Sequence, residues 1–185
     1  TAPAAITRIL PRRNYIIRKS VNLSRQAHII AANVDHAFIV VTLAFPEVKL
    51  PFIDRLLVTC EVYGVKPVIV LNKIDIVDEF RDDFAPALEN FHRIYEGAGY
   101  SILEVSAKTG RGVDELRRLC LEKSEDGAPG ISLFSGVSGV GKSSLIKAMD
   151  PSLNPKTGLI SEAHLQGRHT TTFYEMYPLC GGEGC

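Results

Sequence analysis

Gly136-Val137-Ser138-Gly139-Val140-Gly141-Lys142-Ser143 is the stretch on which the fold turns. The apolar run Ile131 to Phe134 stands just before it and reads as a strand, and Ser143 to Met149 has the spacing of a beginning helix. Strand, glycine-rich loop and helix in that order form a cradle for a phosphate chain. The glycines let the backbone curl so that successive N–H groups point inward, and the helix N-terminus adds a dipole that favours the same anion. Lys142 would reach the β- and γ-phosphates and the Ser143 hydroxyl would ligate Mg²⁺, with Ser144 counted beside them as nucleotide-binding. A glycine-rich turn ahead of a purely structural helix is the plain alternative, and the strand on one side and helix on the other argue against it. The loop alone does not choose between adenine and guanine.

Upstream, apolar runs alternate with helical spacing. Ala37 to Leu43 and Pro67 to Leu71 are continuous apolar runs of the kind found in strands buried on both faces. Ser101 to Val105 reads as a third strand, ahead of Ile131 to Phe134. Helices are expected over Phe52 to Tyr63, with Phe52, Leu56 and Val62 on one face, over Ala85 to Tyr95 with Pro86 in the first turn, and over Val113 to Glu122. Such alternation predicts an α/β domain with a mostly parallel sheet, whose ligands sit at the carboxyl ends of the strands. Residues 150–172 show no clean period, and Phe173 to Tyr177 is a candidate last strand. At the other end, Ala5 to Leu10 and Tyr15 to Arg18 read as two strands joined by Pro11 to Asn14; one hairpin cannot stand alone, so they belong to a small β domain.

Two further motifs fall at strand ends. Asn72-Lys73-Ile74-Asp75 follows the second buried strand. An Asp75 carboxylate can accept from both N1–H and the exocyclic amine of guanine; adenine lacks that donor pair and would leave the carboxylate unmatched. Asn72 can support the loop and the far edge of the base, and the Lys73 stem can lie across its face. Ser106-Ala107-Lys108 ends the next strand, where the Ala107 N–H could donate to guanine O6 and Lys108 could pack on the base. Either motif alone is a polar turn more often than a site; their placement beside the phosphate loop gives them weight.

Composition bounds the rest. Hydrophobic residues at 45% and charged residues at 23% describe a globular chain, since a disordered one could not carry so much apolar surface. The formal net charge of zero names no partner, but its distribution does. Residues 1–34 hold Arg8, Arg12, Arg13, Arg18, Lys19 and Arg25 and no acid, which suggests an anionic partner for this arm, nucleic acid before membrane. No run is long enough to span a membrane. Of the four cysteines, Cys60 and Cys120 sit in apolar helix-like runs and read as buried thiols, while Cys180 and Cys185 form a terminal C-x4-C without further ligands nearby. A reducing, cytoplasmic setting is expected.

With these motifs assembled, the chain resembles the circularly permuted, small-ribosomal-subunit-dependent GTPases of the RsgA (YjeQ) family. The usual GTPase order puts the phosphate loop first; here Asn72–Asp75 and Ser106–Lys108 precede Gly136–Ser143, and Gly167-Arg168-His169-Thr170-Thr171-Thr172 follows. The likeness also takes in Ala32-Asn33-Val34-Asp35, the start of the helix at Pro51 to Leu57, and the basic arm, which is similar to the last strands of that family's RNA-binding OB-fold. It implies a remnant of an OB-fold over residues 1–30 and a permuted P-loop GTPase domain over 31–185, the Gly- and acid-rich residues 124–130 being the joint that permutation requires. It also implies GTP and GDP as ligands, the small subunit and its rRNA as partner, a monomer, Thr171 as a second Mg²⁺ ligand, and His169 as the group that positions the attacking water. A solvent-exposed loop histidine describes His169 equally well at this point, and His28, His36, His92 and His164 lack partners in sequence.

The chain departs from the family in one respect. No D-x-x-G follows Thr172, so the second switch is missing, as is the zinc-binding domain the family carries downstream. The sequence is either a piece of a longer protein or lacks internal segments, and nucleotide binding is expected to survive better than hydrolysis. GTP hydrolysis by positioning and charge stabilisation, in small-subunit assembly, is the leading expectation. A nucleotide-gated RNA- or ribosome-binding module without hydrolysis is the alternative, and an ATP-dependent kinase or ATPase requires the Asn72–Asp75 motif to be coincidence.

Overall fold

The computed structural model describes residues 5–19, 27–155, 175–181 and 184. At its centre lies β3 (His36–Val41), all six residues buried. It pairs in parallel with β4 (Lys66–Leu71) on one side, Ala37 opposite Pro67 and Val41 opposite Leu71, and with β6 (Ser132–Ser135) on the other, Ile39 opposite Ser135. The short strand β5 (Ile102–Glu104) adds in parallel to β4, giving the order β5-β4-β3-β6. Continuous apolar runs at β3 and β4 are the mark of strands covered on both faces, and Phe38, Ile39, Val40, Ile69, Val70 and Leu71 are wholly buried.

Helices α1 (Leu50–Tyr63), α2 (Ile74–Glu79) and α3 (Arg81–Gly97) make the crossovers from β3 to β4 to β5; α4 (Val113–Cys120) leads to β6 and α5 (Lys142–Met149) follows it. The first crossovers run one way along the sheet and the return to β6 runs the other. Right-handed connections therefore put α1 and α3 on one face and α4 and α5 on the opposite one. Contacts agree: the Tyr95 hydroxyl on α3 donates to Asp54 on α1 at 3.0 Å, and Cys120 on α4 lies 4.0 Å in sulfur–sulfur distance from Met149 on α5. Cys60 and Cys120 are buried free thiols, as the sequence suggested, and burial pushes them up to about 11 and about 12.

Several expectations need correction. The buried stripe of α1 is Ile53, Leu57 and Cys60, and Val62 is 70% exposed; at 100° per residue Val62 falls well round the helix from Phe52. The third helix begins a turn earlier than expected, at Arg81, where Asp82 and Asp83 suit the helix N-terminus. Pro86 therefore stands inside α3 rather than in its first turn and costs it one backbone bond. Ala5 to Leu10 forms no strand, and Ile6 and Ile9 stand nearly fully exposed. Strand β1 (Tyr15–Lys19) is instead paired antiparallel with β2 (Ala27–Ala32), a partner that the alanine-rich AHIIAA run conceals from propensity. Residues 175–177 form no strand, while Phe173 lies outside the described residues.

One carboxylate ties the start of the domain to the joint. Asp35 accepts from both Arg13 guanidinium nitrogens at 3.0 Å, from the Ser124 hydroxyl at 2.7 Å and from the Ile131 N–H at 2.8 Å. Its own N–H donates to the Ile131 carbonyl at 2.8 Å. Residues 124–130 fold back tightly, with Lys123 bridged to Pro129, and deliver the chain into β6 beside β3.

Candidate nucleotide site

The carboxyl ends of β3, β4, β5 and β6 emerge on one edge of the sheet and bring three sequence motifs together. Out of β6, Gly136 turns at φ 154°, and a Cβ there would stand 2.4 Å from the Val40 carbonyl oxygen of β3. Only glycine lets the loop leave the sheet so close to its neighbour. The loop re-enters helix at Gly141, φ 95°, where a Cβ would stand 2.4 Å from Asn72 Nδ2. Helix α5 starts at Lys142, so the first-turn N–H groups of Lys142, Ser143 and Ser144 have no partner within the helix and face the loop's mouth. Lys142 Nζ lies over the loop, donating to the carbonyls of Gly136 and Val137 at 2.8 Å each. Burial holds its pKa below the ordinary lysine value. Val137, Ser138 and Gly139 form the arch, and Val140 is wholly buried, its contribution being its backbone.

Asn72 joins the three loops. It is 2% exposed, donates from Nδ2 to the Val140 carbonyl at 2.7 Å, and accepts the Ala107 N–H on Oδ1 at 3.2 Å. The Asn72–Asp75 turn and the Gly136–Ser143 loop thus share one buried amide. The Ala107 N–H that sequence reasoning aimed at guanine O6 is given to Asn72 here, because a buried amide oxygen needs a donor. Ile74 is buried in the core, and its N–H donates to the Val105 carbonyl at 3.1 Å, so it anchors the turn from below. Asp75 lies in the first turn of the short helix α2, with Oδ1 accepting the Ser106 hydroxyl at 2.6 Å and Oδ2 lying 3.9 Å from Lys108 Nζ. Ser106 is wholly buried and also accepts the Thr109 N–H, so it orients the carboxylate and braces its own turn. Lys108 is largely exposed. Lys73 holds a left-handed φ of 63°, its pKa is lowered by burial, and its ammonium donates to the Phe45 carbonyl.

A chain of charges supports the Ser106 turn from outside. His92 on α3 contacts Glu96 and Glu104 at 3.0 Å each; Glu104 on β5 also takes Arg111, which reaches Asp78. Burial pushes the His92 pKa down, but the two carboxylates outweigh it and raise it. His36, by contrast, has its pKa lowered by burial and by Lys66, against the pull of Glu122. Sequence reasoning gave neither histidine a partner; Glu122 and Glu104 lie elsewhere in the chain, but Glu96 stands one turn along α3 from His92, an i,i+4 pair that the sequence itself offered. His169 and Thr171 lie outside the described residues, as do His164 and Cys185. Among the described residues no group of three His, Cys, Asp or Glu side chains could hold a metal. Among them, too, no helix is long and apolar enough to cross a membrane.

Comparison with known proteins bears on the family and the fold. A family model described as RsgA GTPase matches residues 9–184. A Flavobacterium johnsoniae protein, named small ribosomal subunit biogenesis GTPase RsgA, is 49% identical over 168 residues, covering 91% of this chain and 49% of the relative. A Bacteroides fragilis protein of the same name is 47% identical over 178 residues, covering 96% of this chain and 54% of the relative. Thus the chain spans about half the length of the curated relatives it matches. The crystal structure of YjeQ from Thermotoga maritima is similar at a TM-score of 0.63 and 35% identity, covering 82% of this chain and 47% of that one. YloQ, described as a circularly permuted GTPase, shares the fold at a TM-score of 0.55, 24% identity and coverage of 78% and 44%.

Proposed function

The chain belongs to the RsgA GTPase family, and from that premise we propose that it binds guanine nucleotides at the three-loop site and hydrolyses GTP to GDP and phosphate in small ribosomal subunit assembly. The observation that carries the reading is the Asn72 amide, which joins the base-reading segment to the phosphate loop through Val140 and to the Ser106 turn through Ala107. Such a bridge stabilises the empty fold and also holds the two loops in the register that one ligand spanning both would need.

In this reading the Asp75 carboxylate, turned by Ser106, accepts the guanine N1–H and amine, and the first-turn amides of α5 with Lys142 hold the phosphates. Lys142 exchanges its two loop carbonyls for phosphate oxygens, which favours an anionic ligand over none. Ser143 would hold Mg²⁺, together with Thr171. The Ser143 hydroxyl at the head of α5 suits that ion, which keeps most of its waters and takes few protein oxygens. Bound there, Mg²⁺ would offset charge on the phosphates. His169 would position the attacking water.

The exposed Arg8 and Arg12 support an RNA partner for the arm, whereas Arg13 is already engaged by Asp35. The OB-fold remnant over residues 1–30 and the zinc domain downstream remain part of the proposal for the longer protein.

Calorimetry with GDP and ADP, with Asp75→Asn alongside, tests the site. GDP binding in preference to ADP, relaxed by the substitution, is expected; equal binding, or indifference to Asp75, would overturn the guanine reading. Phosphate release from GTP, with and without small subunits, tests hydrolysis and its partner. No release under either condition would leave a nucleotide-gated binding module.

A further inference from the structure

The segment from Thr42 to Val48 carries the end of β3 into α1 and passes between the phosphate loop and the base-reading loop. Neither motif includes it, yet it bonds to one and lies beside the other. The Phe45 carbonyl accepts the Lys73 ammonium. Pro46 faces Gly139 of the phosphate loop, with room between them for a Cβ that would stand 3.4 Å from Pro46 Cδ. Thr42, 2% exposed, fixes the segment internally: its hydroxyl donates to the Pro46 carbonyl and its own carbonyl accepts the Val48 N–H at 3.1 Å. Phe45 holds φ at 51°, a left-handed conformation that a bulky side chain seldom adopts, while its ring is 72% exposed. Packing of the ring therefore does not account for the backbone shape. What the shape achieves is a carbonyl aimed at Lys73, and departures of this kind gather at ligand clamps.

We propose that Thr42, through Pro46 and Phe45, is a positioning residue for base recognition: the loop it pins holds the Lys73 ammonium so that the lysine stem lies ready across the purine. This rests on the guanine-nucleotide reading of the site. Thr42 touches no ligand, and its influence is confined to the base because the phosphate loop has its own supports in the Asn72 amide and in the β3–β6 pairing that runs up to Ser135.

The test is calorimetry with GDP and with inorganic pyrophosphate, which occupies only the phosphate loop. Thr42→Val removes the hydroxyl at nearly constant volume, and Thr42→Ser returns it. Thr42→Val is expected to weaken GDP about tenfold, the scale of one charge-assisted contact misplaced, with pyrophosphate within about twofold of wild type and GDP affinity restored by Thr42→Ser. Phe45→Gly, which accepts the left-handed φ but frees the carbonyl, is expected to give the same selective loss and serves if Thr42→Val folds poorly. In a double-mutant cycle, Lys73→Ala should leave Thr42→Val little further to remove. Equal losses for GDP and pyrophosphate, additivity with Lys73→Ala, or GDP affinity unchanged in both loop variants would overturn the proposal. Wild-type protein that binds pyrophosphate but does not prefer GDP to ADP would overturn the site reading beneath it, a result visible without any loop variant.

Discussion

Replacing Asn72 by alanine removes a buried amide that satisfies two backbone groups on two other loops. The Val140 carbonyl belongs to a residue with no exposed surface and loses its 2.7 Å donor. The Ala107 N–H loses its acceptor at 3.2 Å, but Ala107 is half-buried and water can reach it. A buried polar group left without a partner costs about 1–3 kcal/mol, so the two together cost about 2–4 kcal/mol, most of it at Val140. That loss divides between the unliganded fold, where the amide already ties the loops, and nucleotide binding, where it keeps them in register. With about 1.4 kcal/mol per factor of ten, GDP affinity should fall about tenfold to a hundredfold and stability should lose the remainder. Urea unfolding and GDP calorimetry on the same preparation measure both shares. Asn72→Asp sharpens the comparison: it keeps an acceptor for Ala107 but sets a carboxylate oxygen against the Val140 carbonyl, so it should be no better than alanine. An Asn72→Ala protein with an unchanged urea midpoint and GDP affinity within about twofold of wild type would refute the reasoning.

Gly136→Ala should unfold the phosphate loop or detach β6 from β3, since its Cβ would stand 2.4 Å from a backbone oxygen with no room to move; circular dichroism and loss of GDP binding would report it. His92→Gln should remove a stabilisation that is fully present below the ordinary value of 6.5 and fades as pH rises through the raised folded value, so the stability gap between wild type and variant should narrow toward alkaline pH in urea melts. His36 runs the other way: its lowered pKa makes the fold lose stability as pH falls below 6.5, and a His36→Gln protein should be less sensitive to mild acid. Asp35 has its pKa pushed up by burial but pulled lower overall by the Ile131 amide, Ser124 and Arg13, so its contribution is present above 3.8 and lost below it. Asp35→Asn should cost about 1–3 kcal/mol at neutral pH, with a flatter acid limb in the same melts.

How much of this was legible in the sequence depended on whether a residue acts through its side-chain type or through its backbone. Strands β3 and β4 were plain because a run such as Ala37 to Val41 must be covered on both faces. The three loops stood out because glycine, lysine, asparagine and aspartate at strand ends are the residue types that phosphate and guanine recognition would demand, and the fold does bring them together on one edge. Strand β2 was hidden because alanine and histidine carry little strand preference, and its partner β1 lies across a connection that no local period marks. Helix α2 was overlooked because its six residues begin inside the Asn72–Asp75 motif itself. Thr42 and Phe45 escaped notice for a deeper reason: Phe45 contributes a carbonyl, which every residue has, and Thr42 contributes only the bond that aims it. The partners of Asp35, at Arg13, Ser124 and Ile131, became visible only once the chain had closed on itself.

The position of β6 bears on how the protein comes into being. β6 emerges from the ribosome after β3, β4 and β5, yet it belongs beside β3, the most deeply buried strand of the sheet. Until it arrives, β3 presents a bare row of amides and carbonyls along an apolar strand, the kind of edge that recruits other chains. The base-reading loops are synthesised first and the phosphate loop last. When β6 arrives it takes the edge in place of the wholly buried β3, so covering the apolar centre of the sheet and, on the proposed reading, completing the three-loop pocket are one event in the life of a nascent chain.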